Sequence, residues 1–176
     1  SFVSVSSILD GKHEGEEVRL RGWLYNKRAS GGLQFLILRD GTGVIQCVMN
    51  KGEAGDEAFN KVEELPVESA LEISGLVKKD PRAPGGYEVS IKGLGKLYSA
   101  QVGYPITKKY HGPEFLFDER HLYIRDPKVQ LILRMRSKFL EVARDWFKEQ
   151  GYTEHQSPSF ITAACEGGST LFEVKY

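Results

Sequence analysis

A small β-barrel carrying one helix, followed by the opening of a second, α/β unit, is the architecture this sequence predicts. Three observations predict it. Residues 18–97 hold five short runs of strand-forming residues with a single helical stripe between the third and fourth. The dipeptide Asp40-Gly41 between two of those runs is a strong hairpin signal. A long, well-capped amphipathic helix begins only after residue 126, beyond a stretch broken by Gly103, Pro105, Gly112 and Pro113.

The elements follow in order. Residues 18–26, 33–39 and 44–50 read as the first three strands, rich in Val, Ile, Leu, Phe, Trp and Tyr. Residues 56–65 carry Ala58, Phe59, Val62 and Leu65 at helical spacing, and Pro66 ends that helix. Residues 70–78 and 87–94 are two further strands, with Pro81, Pro84, Gly85 and Gly86 punctuating the loop between them. Three strands, a helix and two strands is the order of an OB-fold, a five-stranded barrel that binds oligonucleotides. The expected division is a barrel at 1–97, a linker or hinge at 98–117, and the incomplete beginning of a second domain at 118–176. In that second unit Asp126 is a good N-cap and Pro127 suits the first helical position. Apolar residues recur from Val129 to Phe147, and Gly151 stops the helix. Beyond Pro158 a strand is expected at 170–176, where the sequence ends without a partner for it.

Composition narrows the function. Charged residues make up 27% and no apolar run approaches the roughly 20 residues a membrane helix requires, so no membrane partner is expected. Two distant cysteines, Cys47 and Cys165, and four scattered histidines offer no metal-type spacing, which suits a reducing, cytoplasmic setting and predicts no metal site. The net charge is zero, but it is segregated. Between 18 and 51 the charges are Arg19, Arg21, Lys27, Arg28, Arg39 and Lys51 against Asp40 alone. Between 53 and 72 they are mainly acidic, and between 76 and 98 mainly basic again. Such segregation steers a polyanion even when the sum is neutral. Solvated faces of a barrel and a helix would give the same pattern.

The hairpin assigns faces. With a two-residue turn at Asp40-Gly41, Arg39 pairs with Thr42 and Phe35 lies directly opposite Gln46; a four-residue turn moves the register by two and keeps the faces. Leu36, Leu38, Ile45, Cys47 and Met49 then form the core side, and Phe35 and Gln46 face outward. An exposed aromatic beside an amide, edged by Arg21, Arg28 and Arg39, is what reading a single strand requires. The ring stacks a splayed base, the amide offers donor and acceptor to a base edge, and the arginines hold phosphates. The competing reading is that Phe35 belongs to a second apolar face covered by the following domain.

The runs Arg21-Gly22-Trp23-Leu24-Tyr25-Asn26-Lys27-Arg28 and Phe35-Leu36-Ile37-Leu38-Arg39-Asp40-Gly41-Thr42-Gly43-Val44-Ile45-Gln46 closely resemble the anticodon-binding domain of asparaginyl- and aspartyl-tRNA synthetases. The resemblance implies that the aromatic at Phe35 stacks on the central anticodon uridine, that Gln46 contacts anticodon bases, that Arg28 lies on the same surface and that Glu88 faces the anticodon from the fifth strand. Both tRNAs share the central uridine, so this face does not choose between the two amino acids.

The second half resembles the start of a class II synthetase catalytic domain. Gln150-Gly151-Tyr152 and Ser157-Pro158-Ser159-Phe160-Ile161 are similar to motif 1, the helix and strand that build a homodimer interface, so Gly151 and Pro158 are expected there; His155 replaces the usual aliphatic residue. Arg120-His121-Leu122-Tyr123-Ile124-Arg125 matches the segment where linker meets catalytic domain. Glu166-Gly167-Gly168-Ser169-Thr170-Leu171-Phe172 resembles the mobile loop that closes over the amino acid, which makes Glu166, Gly167, Gly168 and Ser169 amino-acid-binding candidates, with Glu166 pairing the α-ammonium. Thr170, Glu173 and the stretch Pro81-Arg82-Ala83-Pro84-Gly85-Gly86-Tyr87-Glu88 favour asparagine over aspartate.

The resemblance implies a two-step reaction in the complete enzyme: asparagine and ATP, with Mg²⁺, give asparaginyl-adenylate, which is transferred to tRNA(Asn). The arginines of motifs 2 and 3 that this chemistry uses do not occur in these 176 residues, so no catalytic residue is expected here and the chain alone is expected to be inactive in asparagine-dependent ATP–pyrophosphate exchange. Two other readings stand at this point: an archaeal-type aspartyl enzyme, and a stand-alone OB-fold nucleic-acid binder.

Overall fold

The computed structural model describes residues 1–101, 103–107 and 109–160. The chain divides into two compact units, Ser1–Lys108 and Lys109–Tyr176, and the division falls inside the stretch expected to link two domains.

The first unit is a five-stranded closed barrel. Its strands are β1 (Glu17–Ser30), β2 (Leu33–Arg39), β3 (Val44–Asn50), β4 (Ala70–Lys79) and β5 (Tyr87–Tyr98), joined around the barrel in the order β1-β2-β3-β5-β4. β3 and β5 run parallel and every other neighbouring pair antiparallel. Closure leaves no free sheet edge. The strand β1 serves both halves: Glu17 to Trp23 pair with β4, and Trp23 to Ser30 pair with β2. A register shift between Leu24 and Asn26 bends it between the two partners. Gly22 permits the close approach there, since a Cβ would collide with the Arg39 carbonyl.

Alternation along the strands decides what is inside. Leu36 and Leu38 of β2, Ile45, Cys47 and Met49 of β3, Leu71, Ile73 and Val77 of β4, and Val89 and Ile91 of β5 are all buried. Period-two burial on β2 and β4 is what one wet and one dry sheet face requires.

Helices close the barrel ends. Between β3 and β4 lie α2 (Lys51–Ala54) and α3 (Asp56–Glu64): α3 falls on the helix expected at 56–65, and α2 is a further short helix ahead of it, separated from it by Gly55 with φ +80°. Phe59 and Val62 of α3 are buried, and the buried Gln34 side chain donates to the Phe59 carbonyl at 2.9 Å. Lys27 caps the other end of α3, its ammonium donating to the carbonyls of Val62, Glu63 and Leu65. An additional helix, α1 (Val5–Leu9), is absent from the sequence-based expectation. It docks where β2 turns into β3: its Val5 N–H donates to Asp40 and its Ser6 N–H to Thr42, and Val5 and Ile8 are fully buried. Five residues are too few to register as a periodic pattern, and such a helix exists only by tertiary packing.

In the second unit the order is α4 (Pro113–Asp118), α5 (Arg120–Tyr123) and α6 (Pro127–Glu149). The stretch expected to be linker to residue 117 therefore contains a helix. Pro113, read from sequence as punctuation, occupies its first turn, where the missing N–H costs nothing. The Asp126 carboxylate caps α6 by accepting from the N–H groups of Lys128 and Val129. Gly151, at φ +83°, ends it: Gly151 N–H donates to Lys148 and Tyr152 N–H to Phe147, with the Phe147 and Tyr152 rings 5.6 Å apart. That is a Schellman stop with its usual apolar contact. Leu131, Ile132, Met135, Phe139, Leu140, Val142 and Trp146 of α6 are all exposed among the described residues. The strand expected at 170–176 lies outside the described residues.

Candidate nucleic-acid interface

The turn between β2 and β3 fixes the geometry of the outer face. Arg39 pairs with Val44, so the turn spans Asp40, Gly41, Thr42 and Gly43, and Phe35 faces Val48 rather than Gln46. The reason is the Asp40 carboxylate. It accepts from the Thr42 N–H at 2.7 Å, the Thr42 hydroxyl at 2.7 Å and the Gly43 N–H at 3.0 Å, and the Asp40 N–H donates to the Gly43 carbonyl. These side-chain bonds stabilise the wider turn over a two-residue one. The shift of two keeps the faces: Phe35, Ile37 and Arg39 share the outer side of the barrel with Val44, Gln46 and Val48. Phe35 and Gln46 are thus neighbours one pleat apart, a separation of about 7 Å along the strand.

Gln46 sits at the junction of three strands, opposite Ile37 on β2 and beside Glu88 on β5. Only 9% of it is exposed, and its Nε2 donates to a Glu88 carboxylate oxygen at 3.1 Å. This bond decides which way the amide points. An ionised carboxylate only accepts, so the end of Gln46 facing Glu88 must be the NH₂, and Oε1 is turned to the opposite side. The pair therefore presents an oriented acceptor.

Phe35 is half-buried, and across from it on β1 the Arg28 guanidinium lies over its ring, 4.5 Å from the centroid. This is cation–π geometry. Arg28 is exposed. Arg21, also exposed, lies farther along β1 opposite Glu72, with its guanidinium 5.1 Å from the Phe2 ring.

Arg39 differs from the sequence-based expectation of a phosphate contact. It makes a fork-to-fork ion pair with Glu68, with Nη1 to Oε1 at 2.9 Å and Nη2 to Oε2 at 2.7 Å, and the two side chains are 12% and 8% exposed. Its guanidinium also lies 5.3 Å from the Tyr25 ring and 6.0 Å from that of Trp23. Arg39 thereby braces the end of β2 through a nearly buried ion pair. Glu68 is the one non-glycine residue at positive φ (+68°) among the described residues, so the backbone is held in an unusual conformation to deliver this carboxylate. No sequence signal marked Glu68 as the partner, because the pairing spans 29 residues.

Burial pushes the Cys47 thiol pKa up, with the Glu88 charge adding to it, so this free cysteine is a core residue and no nucleophile. Burial lowers the Lys27 pKa and the Glu63 charge opposes that shift. Among the described residues no group of three or more His, Cys, Asp or Glu is placed to hold a metal ion, and no helix is long and apolar enough to cross a membrane. The amino-acid-binding candidates Glu166, Gly167, Gly168 and Ser169 lie outside the described residues, and Pro158 lies in an irregular exposed segment after α6.

Residues 18–97 match the family described as the OB-fold nucleic acid binding domain of the tRNA anti-codon type, and residues 112–176 match tRNA synthetases class II (D, K and N). An asparagine–tRNA ligase from Desulforamulus reducens is 50% identical over 166 residues, 94% of this chain and 38% of that protein. One from Thermoplasma acidophilum is 37% identical over 99% of this chain and 40% of its own length. The crystal structure of asparaginyl-tRNA synthetase from Pyrococcus horikoshii, complexed with asparaginyl-adenylate, superposes with a TM-score of 0.88 at 38% identity, covering all of this chain and 41% of that one. The chain thus spans about two fifths of the length of the relatives it matches.

Proposed function

The chain belongs to the class II tRNA synthetases, joining an OB-fold nucleic acid binding domain to the first part of the D, K and N synthetase domain, and from that premise we propose that its barrel reads the anticodon of tRNA(Asn) for a protein that attaches asparagine to that tRNA through an asparaginyl-adenylate. The single observation that carries the reading is the oriented acceptor. Gln46, its amide set by Glu88, stands one pleat from Phe35 on the outer face of the barrel. A uridine stacked on Phe35 offers an N3–H donor on its base edge, which is the complement of Gln46 Oε1. Guanidinium groups at Arg28 and Arg21 supply phosphate contacts along β1. Arg39 acts indirectly, as a brace.

The preference for asparagine rests on the likeness to asparagine–tRNA ligases and to the adenylate-bound structure. ATP and Mg²⁺ would supply the activated phosphorus and its charge neutralisation in the complete protein. No step through them is assigned to the described residues. Glu166 to Ser169 are proposed to hold the amino acid. The apolar face of α6, together with Gly151 and Pro158, is proposed to join two copies; this is supported by the exposed run from Leu131 to Trp146. A cytoplasmic setting fits the buried, unpaired Cys47.

The test separates tRNA reading from amino acid activation. In the complete protein Gln46→Leu is expected to raise the KM for tRNA(Asn) about ten-fold while leaving asparagine-dependent ATP–pyrophosphate exchange, which needs no tRNA, near its original rate. An unchanged KM for tRNA would reject the assignment.

A further inference from the structure

We infer that the barrel carries a second, separate base-binding slot, over Ala70, that takes one nucleobase of the same RNA; this rests on the reading of the barrel as an RNA binder. The slot is built by strand register. Trp23 of β1, Ala70 of β4 and Tyr98 of β5 form one row across three adjacent strands. Trp23 is 43% exposed and Tyr98 is 62% exposed, while the residue between them has only a methyl group. Adjacent strands stand about 4.8 Å apart, so the two aromatic side chains rise from backbones about 10 Å apart. A flat ring stacked between two others takes up about 7–8 Å at contact distance. The gap above Ala70 therefore suits one aromatic ring, and nothing in the row fills it.

The next row supplies the polar groups. Arg21 pairs with Glu72, and Lys96 lines the same cleft from β5. The cleft has a volume of about 520 Å³, inside the range of small-ligand sites. The side chains of Glu72 and Lys96 take part in no hydrogen bond or ion pair among the described residues, although the Glu72 carboxylate leans over Gly95, where an added Cβ would meet it at 3.0 Å. Asp40, at the cleft's edge, is different: its carboxylate is already filled by Val5, Thr42 and Gly43. Arg21, which faces only the Phe2 ring, and Lys96 suit a phosphate on either side of the slot. One unpaired carboxylate suits a base edge carrying two adjacent donors, which among the common bases is guanine, through N1–H and the N2 amine.

The slot is distinct from the Phe35 site. Arg28 pairs with Phe35 and Trp23 with Arg39, four residues apart along β2, about 13 Å. A strand crossing the barrel can therefore occupy both.

The molecule has two tryptophans, so Trp146→Phe leaves Trp23 as the sole reporter. In that background a guanosine-containing single-stranded RNA hexamer is expected to quench Trp23 emission saturably. Trp23→Ala and Tyr98→Ala, made in the otherwise unaltered chain and measured by fluorescence anisotropy of labelled RNA, should each weaken binding about ten-fold, and Trp23→Phe should keep affinity within about two-fold. Glu72→Gln should bring guanosine and adenosine hexamers to equal affinity. GMP alone binding as tightly as the hexamer would overturn the RNA assignment in favour of a free nucleotide. If the tRNA(Asn) anticodon stem-loop binds through Phe35 while Trp23 stays unquenched and both alanine variants bind normally, the slot is refuted and the anticodon reading survives. If no RNA binds at all, both fall.

Discussion

Arg28 lying on Phe35 makes a quantitative prediction about anticodon binding that a bare aromatic would not. In the free chain the guanidinium sits 4.5 Å from the ring centroid. At an exposed site this contact is worth about 0.5–1 kcal/mol. A base stacked on the ring gains about 1–3 kcal/mol, so the base displaces the guanidinium, but the net gain is their difference, centred near 1 kcal/mol. Phe35→Ala should therefore weaken binding of the tRNA(Asn) anticodon stem-loop only about five-fold in the native background. In an Arg28→Gln background the ring starts uncovered, and the same substitution should cost the whole stacking energy, about 2 kcal/mol or roughly thirty-fold. A double-mutant cycle by isothermal titration at fixed salt isolates this coupling, because the loss of Arg28's phosphate attraction is common to both arms. Competition requires the Phe35→Ala penalty to grow when Arg28 is removed. An equal or smaller penalty would refute the displacement argument and mean that guanidinium and base share the ring from opposite sides.

Two further expectations concern what holds the reading face in place. Lys27→Met removes the ammonium that caps three carbonyls at the end of α3 and should lower stability by about 1–2 kcal/mol in urea denaturation, with the same m-value; an unchanged midpoint would show that the cap contributes nothing. Glu68→Gln leaves a nearly buried guanidinium without its carboxylate and should cost about 3 kcal/mol, whereas replacing an ordinary surface ion pair would cost under about 1 kcal/mol; a loss in the surface range would reject the bracing role of Arg39.

Much of this fold was legible because periodicity is local information. The strands β2 and β3 match their expected limits, and Leu36, Leu38, Ile45 and Met49 lie inside as alternation requires. The caps of α6 at Asp126 and Gly151 were legible for the same reason: capping chemistry sits within a few residues of the end it serves. What could not be read is nonlocal or energetically small. The choice between a two- and a four-residue turn is decided by three hydrogen bonds to the Asp40 carboxylate, and that carboxylate also receives the N–H of Val5, 35 residues away. Arg39 looked like a phosphate ligand because its partner, Glu68, lies in a loop whose positive φ leaves no mark in the sequence. The orientation of Gln46 depends on Glu88, its neighbour only through the parallel β3–β5 pairing. In each case the sequence located the residue on the correct face, and tertiary pairing decided what the side chain does there.

Gln46, held by Glu88, is proposed to present an acceptor to the middle base of the anticodon. Exchanging that base tests it most directly. Uridine carries a donor at N3 and cytidine an acceptor at the same place, so the swap alters the contact without altering ring size or stacking. Titration of the chain with the tRNA(Asn) anticodon stem-loop and with its central U→C counterpart should show at least ten-fold weaker binding of the cytidine form, the cost of setting an acceptor against Gln46 Oε1. Equal affinity for the two stem-loops would show that Gln46 Oε1 does not read that base.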